Sequence, residues 1–558
     1  MIDHAATLAE LAFRRLTAEP EPSADGAPRP ALLLPSADPE NPRSWARFAE
    51  DVFRTAAVLA ALGVRPGDRV AQFSENRYEW LLLDLAAILN RAVHVPLHAT
   101  LSGDQALHQI GHSGSRAVFF SGTAHWEKLV PGLGELPAVG YEAEAVKGSG
   151  GRAALFAERL AAADFEIGRR LAEEAATATR PEDTATLLYT SGTTGKPKGV
   201  VLTHGNLASN ALTTVHTFGI RADEVRLNLL PLSHIFARTC DEYTWLAAGS
   251  TMALAGSRET VLADCTLVRP TTLNGVPFFF SRVRDGLRQA GRAETPGAVR
   301  AMLGGRIDYC VSGGAALPDS LFDFFLEQGV PVLQGYGLSE TSPVISMSTR
   351  EHYRRGSVGR LLPGVEVKIA EDGEILTRGP HVMPGYWQDT AATEEIMEEG
   401  WLKTGDLGRL DAEGYLYITG RKKELIVGST GKNVAPVQLE NLLCEDPLLA
   451  QALVVGDGRD CLGALLLPAP GALAALAAKL GLEGVPAEEL PRHAAVLAVF
   501  QEVVTRRLAG LAHYEQVRRI RLIGEPFSIE TGELTAKLSM RREVIAARRA
   551  AEIEALYA

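Results

Sequence analysis

The sequence is poor in cysteine, and none of its five cysteines forms a C-x-x-C pair. This pattern argues against a disulfide framework or a zinc site and favours a reducing compartment. No block of lysines and arginines occurs, and the net charge is −12, so a nucleic-acid partner is not expected. No run of about 18 apolar residues occurs, and residues 1–19 lack the continuous apolar core of a signal peptide. We therefore expect a cytoplasmic protein without a transmembrane segment, and peripheral membrane contact stays open.

The 558 residues, 46% hydrophobic and 22% charged, are those of a globular chain with several core units. Up to about residue 344, helical patterns such as residues 44–62 alternate with short apolar strands. This alternation indicates an α/β domain with mostly parallel sheets. Residues 19–43, rich in Pro, Ala and Ser, are predicted to form a loop, and residues 135–180 an exposed helical excursion.

The texture of the sequence changes after residue 356. Short strands with Gly and Pro turns predict a β-rich subdomain at about residues 350–420. A small α+β stretch follows and includes an Ala-rich helical segment, residues 471–512. A cationic turn at Lys422 and Lys423 separates two apolar strands. It is the predicted boundary between an N-terminal domain, residues 1–422, and a C-terminal domain, residues 423–558.

The most informative stretch follows the apolar strand at residues 187–189. It is a loop of hydroxyls, glycines and lysines, in which glycines allow close backbone approach and successive N–H groups bind anions. It is not the common P-loop, because only two residues separate its glycines 192 and 195 and a proline follows Lys196. The alternative is a flexible surface loop. The predicted polyphosphate ligands are Thr190, Ser191, Gly192, Thr193, Thr194, Gly195 and Lys198.

A second strand followed by a glycine-flanked polar turn occupies residues 332–342. Tyr336 can stack on a purine, and Ser339 can donate its hydroxyl to an α-phosphate. Glu340 offers a carboxylate of the kind that Mg²⁺ prefers. The alternative is that Ser339 and Glu340 merely begin a capped helix.

Three further turns carry candidate residues. Residues 229–238 join a strand end to a helix start, where Ser233 could cap the helix and His234 would enter a cleft, unless it is a structural histidine. Residues 311–317 combine a strand with two glycines, which alone could be a tight turn. Asp406 can accept hydrogen bonds from ribose hydroxyls, and Arg421 can reach the ribose or a phosphate.

Taken together, the stretches YTSGTTGKPKG, QGYGLSE, KTGD and TGRKK resemble the signatures of the adenylate-forming superfamily. That superfamily includes acyl-CoA synthetases, luciferases and peptide-synthetase adenylation domains. The residues after His234, with residues 268–277, resemble its long-chain fatty acyl-CoA synthetase branch in particular. The resemblance implies a large N-terminal domain of mostly parallel α/β subdomains with a β-rich subdomain, and a small mobile α+β C-terminal domain.

The resemblance also implies roles for individual residues. It places His234 where the carboxylate and the thiol meet, Lys423 at the hinge and Lys432 facing the pantetheine. Ser339 stands where the family usually has Thr. The implied nucleotide contacts are Gly313, Gly314 and Ala315 at the adenine, then Gln334, Gly335, Tyr336, Gly337, Ser339, Asp406 and Arg421, with Glu340 as the Mg²⁺ ligand.

The implied activity is that of an ATP-dependent acyl-CoA synthetase for medium- or long-chain fatty acids. A fatty acid and Mg·ATP give acyl-AMP, the C-terminal domain rotates, and coenzyme A then takes the acyl group. One alternative is a ligase that loads an acyl or aryl group onto a carrier protein, although no carrier domain follows within this chain. The other is a weakly active homologue that binds nucleotide or acyl-adenylate.

The sequence departs from the branch at its C-terminal lysine motif. There the family usually has Thr-Pro-Thr-Leu-Lys, and an ungapped alignment places Ser539 at the lysine position. Lys537 lies two residues earlier, on the same face of a strand and about 7 Å away. We predict that Lys537 bridges the carboxylate and the α-phosphate in the first half-reaction. The alternative is that Lys537 is a solvated surface charge and the enzyme is slow.

Overall fold

The computed structural model describes residues 1–19, 29–190, 197–257, 259–429, 432–528, 530–534 and 540–558. The chain divides into two compact units. The first unit comprises Met1–Gly314, Phe324–Lys368 and Leu376–Lys403, and the second comprises Ala315–Asp323, Ile369–Ile375 and Thr404–Ala558. The domain boundary expected between residues 422 and 423 stays a prediction.

Helices and strands alternate through the first 314 residues. The helices are α1 (Leu8–Thr17), α2 (Trp45–Ala61), α3 (Tyr78–Leu89), α4 (Gly103–Ser113), α5 (Thr123–Leu129), α6 (Ala143–Gly148), α7 (Phe156–Ala162), α8 (Phe165–Ala178), α9 (His204–Phe218), α10 (Ile235–Ala237), α11 (Thr244–Ala248), α12 (Val261–Val268), α13 (Pro277–Gln289) and α14 (Ala298–Met302). The strands are β1 (Pro30–Leu34), β2 (Asp38–Ser44), β3 (Arg69–Phe73), β4 (Val93–Leu97), β5 (Ser115–Phe120), β6 (Ala138–Gly140), β7 (Ala153–Leu155), β8 (Thr184–Thr190), β9 (Lys198–Thr203), β10 (Val225–Asn228), β11 (Thr251–Leu254), β12 (Thr272–Gly275) and β13 (Tyr309–Ser312).

The remaining chain is richer in short strands. The helices are α15 (Asp319–Glu327), α16 (Thr390–Ile396), α17 (Pro436–Cys444), α18 (Ala472–Leu480), α19 (Ala494–Leu508), α20 (Arg542–Arg548) and α21 (Ala550–Tyr557). The strands are β14 (Val332–Gly337), β15 (Val344–Met347), β16 (Arg360–Leu361), β17 (Glu366–Ile369), β18 (Glu374–Arg378), β19 (Gly385–Tyr386), β20 (Met397–Glu398), β21 (Trp401–Leu410), β22 (Leu416–Arg421), β23 (Ile426–Val427), β24 (Asn433–Val434), β25 (Leu449–Val455), β26 (Leu462–Pro468) and β27 (Val517–Leu522).

Two large sheets form the first unit. One has the strand order β19-β9-β8-β4-β3-β5-β6-β7, and the other has the order β16-β15-β14-β13-β12-β10-β11-β1-β2. Their interiors are parallel. Antiparallel strands lie at the β19–β9 edge of the former sheet and at both edges of the latter. We call them the first sheet and the second sheet. Parallel strands deliver their carboxyl ends to one edge, where α/β proteins bind ligands, and the predicted α/β fold class is confirmed.

The apolar helices close the faces of these sheets. In α3, ten of the twelve residues are buried, and the helix is apolar on nearly every side. The helix α2 begins at Ser44, whose hydroxyl accepts a hydrogen bond of 3.1 Å from the N–H of Arg47. Its buried face includes Phe48 and Val52, as an amphipathic pattern requires.

Two sequence-based expectations of local structure are wrong. The predicted loop at residues 19–43 contains β1 and β2, because the apolar run at residues 31–34 pairs with β11 despite its Pro-rich surroundings. The expected excursion at residues 135–180 is not wholly helical or exposed, since β6 is a buried strand of the first sheet. The expected helical segment at 471–512 contains two helices, α18 and α19, with prolines 486 and 491 between them.

The second unit has its own apolar core. Its sheet is β25-β26-β27, with β25 antiparallel and β27 parallel to β26. Buried residues of α17 and α19, such as Leu439 and Phe500, pack with those of the sheet. No helix in the described part of the chain is long and apolar enough to cross a membrane.

Candidate active site

The predicted phosphate loop joins two paired strands. β8 and β9 are antiparallel, and Thr190 and Lys198 are register partners at the end of the hairpin. Both side chains are half-buried. The hairpin therefore fixes the two ends of the loop. Five of the predicted ligands, Ser191, Gly192, Thr193, Thr194 and Gly195, lie outside the described residues.

Tyr386 connects this hairpin to the predicted metal ligand. Its strand, β19, pairs with β9, and Tyr386 is the register partner of Val200. The Nζ of Lys198 lies 5.0 Å from the centroid of the Tyr386 ring, which is a cation–π distance. The Tyr386 hydroxyl donates a hydrogen bond of 2.8 Å to Oε1 of Glu340. Tyr386 thus contacts both a lysine at the end of the phosphate loop and the candidate metal ligand.

The Tyr386 hydroxyl keeps its proton in this arrangement. Burial and the neighbouring Glu340 carboxylate raise the pKa of Tyr386. Because the phenol stays protonated, it donates its hydrogen bond to the ionised carboxylate and stabilises that form. Tyr386 is therefore a functional candidate that sequence reasoning missed. Its signal was weak, because a Gly-Tyr-Trp stretch carries no charge or recognisable spacing.

The turn that carries Ser339 and Glu340 is tightly built. The two residues begin a short 3₁₀ helix, Ser339–Thr341, directly after β14. A Cβ on Gly337 would lie 1.6 Å from the carbonyl oxygen of Pro343, so only glycine fits there. The carbonyl of Glu340 accepts a hydrogen bond of 2.9 Å from the N–H of Met383. Glu340 is thus held through both its side chain and its backbone.

The residues around Glu340 fit a magnesium ion that arrives with a nucleotide. Mg²⁺ takes one or two carboxylates together with phosphate oxygens and water, rather than a cage of protein ligands. Among the described residues, no group of three or more His, Cys, Asp or Glu side chains could hold a metal. A single half-buried carboxylate such as Glu340 is the donor set that a nucleotide-borne Mg²⁺ requires.

The predicted adenine contacts lie at the ends of two neighbouring parallel strands. Ser312, the last residue of β13, is the register partner of Gln334 within β14. The glycines 313 and 314 follow β13, and a Cβ on Gly313 would lie 3.0 Å from the Phe236 ring. Tyr336, in β14 with Gly335 and Gly337, is half-buried. Ala315, the next residue after Gly314, is exposed.

The surroundings of His234 differ from the expectation in one respect. Ser233 was predicted to cap α10, but His234 itself is the N-cap, and its Nδ1 accepts a hydrogen bond of 3.2 Å from the N–H of Phe236. The Ser233 hydroxyl instead hydrogen-bonds Nδ1 of His98 at 2.8 Å. The His98 and His234 rings are nearly parallel, with centroids 6.4 Å apart. The helix starts one residue later than predicted, so the Ser233 hydroxyl is available to His98 instead of the helix.

A buried ion pair lies behind His234. A π-helical stretch, Arg238–Tyr243, follows α10, and all its residues are buried. Arg238 forms a short ion pair with Asp84, donates to Thr186 at 2.7 Å, and lies close to His94. Burial disfavours the charged form, yet Arg238 and His94 hold the pKa of Asp84 well below its usual range. The sequence signal was available, because Asp84 interrupts an otherwise apolar helix.

The predicted ribose ligands are brought together in the second unit. Asp406 and Arg421 are register partners in the β21–β22 hairpin, and Nε of Arg421 lies 2.8 Å from Oδ1 of Asp406. Asp406 is buried, whereas Arg421 is exposed. Lys423 lies in the short 3₁₀ helix Lys422–Glu424, and Lys432 is exposed.

The predicted catalytic lysine, Lys537, and Ser539 both lie outside the described residues. The residues on either side are paired, because Leu534 and Met540 form an antiparallel bridge. The N–H of Arg541 also donates to the carbonyl of Glu533 at 2.8 Å. These two contacts pair the residues directly before the undescribed segment with those directly after it.

Comparison with known proteins gives matches over most of the chain. The AMP-binding enzyme family matches residues 23–387, and the AMP-binding enzyme C-terminal domain matches residues 423–558. The long-chain-fatty-acid–CoA ligase FadD15 of Mycobacterium tuberculosis (strain ATCC 25618 / H37Rv) is 35% identical over 554 residues, which are 92% of each chain. The long chain acyl-CoA synthetase 7, peroxisomal, of Arabidopsis thaliana is 30% identical, covering 92% of this chain and 82% of its own.

Solved structures give the same fold. The anthranilate CoA ligase AuaEII, in complex with anthranoyl-AMP, superposes with a TM-score of 0.80 over 99% of each chain at 20% identity. The O-succinylbenzoate coenzyme A synthetase of Bacillus subtilis, in complex with AMP, has a TM-score of 0.70 at 26% identity and covers 96% of this chain and 97% of its own. The chain therefore belongs to the family of AMP-binding, adenylate-forming enzymes, and the expected resemblance to its long-chain fatty acyl-CoA synthetase branch is confirmed.

Proposed function

We propose that this chain is an ATP- and Mg²⁺-dependent ligase that converts a medium- or long-chain fatty acid into its coenzyme A thioester through an acyl-AMP. The class of enzyme, a long-chain fatty acid–CoA ligase, is that of its relatives. The observation that carries the proposal is the Tyr386 ring, which adjoins both Lys198 of the phosphate hairpin and Glu340. A cation and a carboxylate that both adjoin one tyrosine suit a metal-bound polyphosphate.

In the first half-reaction, a carboxylate oxygen of the acid attacks the α-phosphorus of ATP, and pyrophosphate leaves with the electrons of the broken P–O bond. Lys198 and Thr190 bind the β- and γ-phosphates together with the loop between them. Ser339 donates to the α-phosphate, and Glu340 would hold Mg²⁺, which when bound would neutralise phosphate charge. These residues position groups and offset charge rather than react covalently.

We expect residues of several motifs to bind the nucleotide. Gly313, Gly314 and Ala315 accept the adenine along the backbone, and Tyr336 stacks on it. Asp406 accepts hydrogen bonds from the ribose hydroxyls, and Arg421 lies close to Asp406. The placement of each residue against the ligand follows from the motifs, and the fixed turns at Gly337 and Gly313 support it.

In the second half-reaction, the thiolate sulfur of coenzyme A attacks the acyl carbonyl carbon, AMP leaves, and the thiol proton passes to solvent. His234 lines the place where these groups meet, and Lys432 faces the pantetheine after rotation about Lys423. We propose coenzyme A as the acyl acceptor, with a carrier protein as the competing acceptor. We also propose a cytoplasmic location.

The test measures pyrophosphate and thioester with a panel of acids from short aliphatic and aryl acids to long-chain fatty acids. We expect CoA thioesters of the longer fatty acids, and pyrophosphate release that requires Mg²⁺. Glu340→Ala should abolish pyrophosphate release, whereas the exposed Glu351→Ala should keep it. Thioester formed only on a holo carrier protein would favour the carrier-loading ligase, and nucleotide binding without pyrophosphate release would favour a weakly active homologue.

A further inference from the structure

The loop that carries His234 is anchored by a residue of the other sheet. This loop runs from the end of β10 to α10, and Asn76 follows β3 of the first sheet. The Asn76 amide donates to Oδ1 of Asn228 and to the carbonyl of Leu230, each at 2.7 Å. Its Oδ1 accepts from the N–H of Leu232 at 2.8 Å. One side chain thus fixes the loop backbone at Leu230 and Leu232 and also holds the Asn228 side chain at the end of β10.

His98 holds the same loop at Ser233, the residue after Leu232. It follows β4, the neighbour of β3, so both side chains leave the carboxyl edge of the first sheet. Its Nδ1 is hydrogen-bonded to the Ser233 hydroxyl at 2.8 Å. Its ring faces that of His234 at an interplanar angle of 27°. His98 therefore contacts both the side chain before His234 and the imidazole itself.

The other side of the loop is fixed by the second sheet and the π-helical stretch. The carbonyl of His234 accepts a hydrogen bond of 3.0 Å from the N–H of Arg238. Asn228 donates to Oδ2 of Asp241 at 2.8 Å. His234 is thus anchored on the second-sheet side through its carbonyl and through Nδ1, which accepts from the Phe236 N–H, while the His98 ring of the first-sheet side lies beside its imidazole.

We propose that His98 is a positioning residue for acyl transfer. By holding Ser233 and lying against the His234 ring, it sets the orientation of that imidazole towards the carbonyl of the acyl-adenylate, and Asn76 sets the loop backbone. The inference rests on the proposed function, in which His234 lines the acyl-transfer site. It assigns to the first sheet a part in the second half-reaction that no motif in the sequence signals.

The expected effect is selective because orientation matters most where two reactants must meet. A misplacement of about 1 Å commonly costs about 10²-fold in rate. His98→Phe keeps a flat ring but removes the hydrogen bond to Ser233. We expect at least a tenfold fall in kcat for acyl-AMP plus CoA, with the KM for ATP and the rate of pyrophosphate release within about twofold of wild type.

The experiment compares His98→Phe with four further variants in the two half-reactions. His98→Asn, whose amide can hydrogen-bond Ser233 as Nδ1 does, should recover much of the rate. Ser233→Ala should resemble His98→Phe, and the double variant should be no slower than either, because both remove one contact. His108→Gln, an exposed histidine of α4, is the matched control. Unfolding temperatures of all variants show whether the fold is intact.

Three results would overturn the inference: an unchanged acyl-transfer rate in His98→Phe, an equal fall in both half-reactions, or additive effects of His98→Phe and Ser233→Ala. A wild-type enzyme that makes acyl-AMP but no CoA thioester would instead refute the proposed function, and the role of His98 in transfer to CoA with it. An active wild type with an indifferent His98→Phe would refute the role of His98 alone.

Discussion

The hydroxyl of Tyr386 donates a hydrogen bond of 2.8 Å to Oε1 of Glu340. The two residues lie 46 positions apart and are held by different strands, since Tyr386 is in β19 and Glu340 follows β14. The ring also lies against Nζ of Lys198. Loss of this hydrogen bond should therefore alter the position of the Glu340 carboxylate, where the nucleotide phosphates and the metal are expected to meet.

Tyr386→Phe isolates the hydrogen bond. The variant retains the ring beside Lys198 but no longer restrains the Glu340 carboxylate. A hydrogen bond to a charged group contributes about 1.5–3 kcal/mol, so we expect pyrophosphate release to slow by about 10- to 100-fold. The response to Mg²⁺ concentration should shift upwards as well.

The matched control is Tyr417→Phe in the second unit, where the hydroxyl donates to Asp411 at 3.2 Å. That variant removes a comparable tyrosine–carboxylate contact and should adenylate at the wild-type rate. Equal rates for Tyr386→Phe and wild type would show that Glu340 needs no support from Tyr386.

Arg238→Met tests the buried ion pair with Asp84. The carboxylate would remain buried with its cation removed, although Tyr243 still donates to it at 2.9 Å. Breaking such a pair typically costs about 3–5 kcal/mol. We expect a clear fall in the free energy of unfolding from urea denaturation. The double variant Asp84→Leu with Arg238→Met should recover part of that loss, because no buried charge then lacks its partner.

A buried histidine predicts a loss of stability in mild acid. His204 is 1% exposed, and burial lowers its pKa to about 4. The unfolded chain, with a histidine pKa of about 6.5, therefore binds more protons than the folded one between these values. The contribution of His204 to the free energy of unfolding is complete above about pH 6.5. It falls by about 1.4 kcal/mol per pH unit as the pH drops from there towards 4.

The contribution of His204 can be separated from that of other acid-sensitive groups. Unfolding free energies of wild type and His204→Gln are compared between pH 7 and 4.5, and the variant should show the shallower pH slope. The exposed His108→Gln should keep the wild-type slope. Identical slopes for wild type and His204→Gln would show that His204 does not titrate with folding.

The motifs with dense chemistry could be predicted from sequence, because each is a local strand followed by a turn. Thr190 and Lys198, both predicted phosphate ligands, are register partners, and so are Asp406 and Arg421, the predicted ribose ligands, whereas their roles towards a nucleotide stay predictions. The contacts of Tyr386, Asn76 and His98 could not be predicted, since they depend on which strands become neighbours across long separations. The hidden strand β1 was missed for a related reason, because its partner β11 lies more than 200 residues away.

Lys537→Ala addresses the departure from the family at the C-terminal motif. Leu534 and Met540, before and after the motif's lysine, form an antiparallel bridge, and Lys537 itself lies outside the described residues. If Lys537 bridges the carboxylate and the α-phosphate, its loss removes a charge contact that forms in the first half-reaction. We expect pyrophosphate release to fall by about 10²-fold or more, while acyl-AMP plus CoA still gives thioester. Ser539→Ala should leave both rates unchanged, and Ser539→Lys should rescue Lys537→Ala if the family position is equally usable. Full adenylation by Lys537→Ala would mean that another cation performs this step.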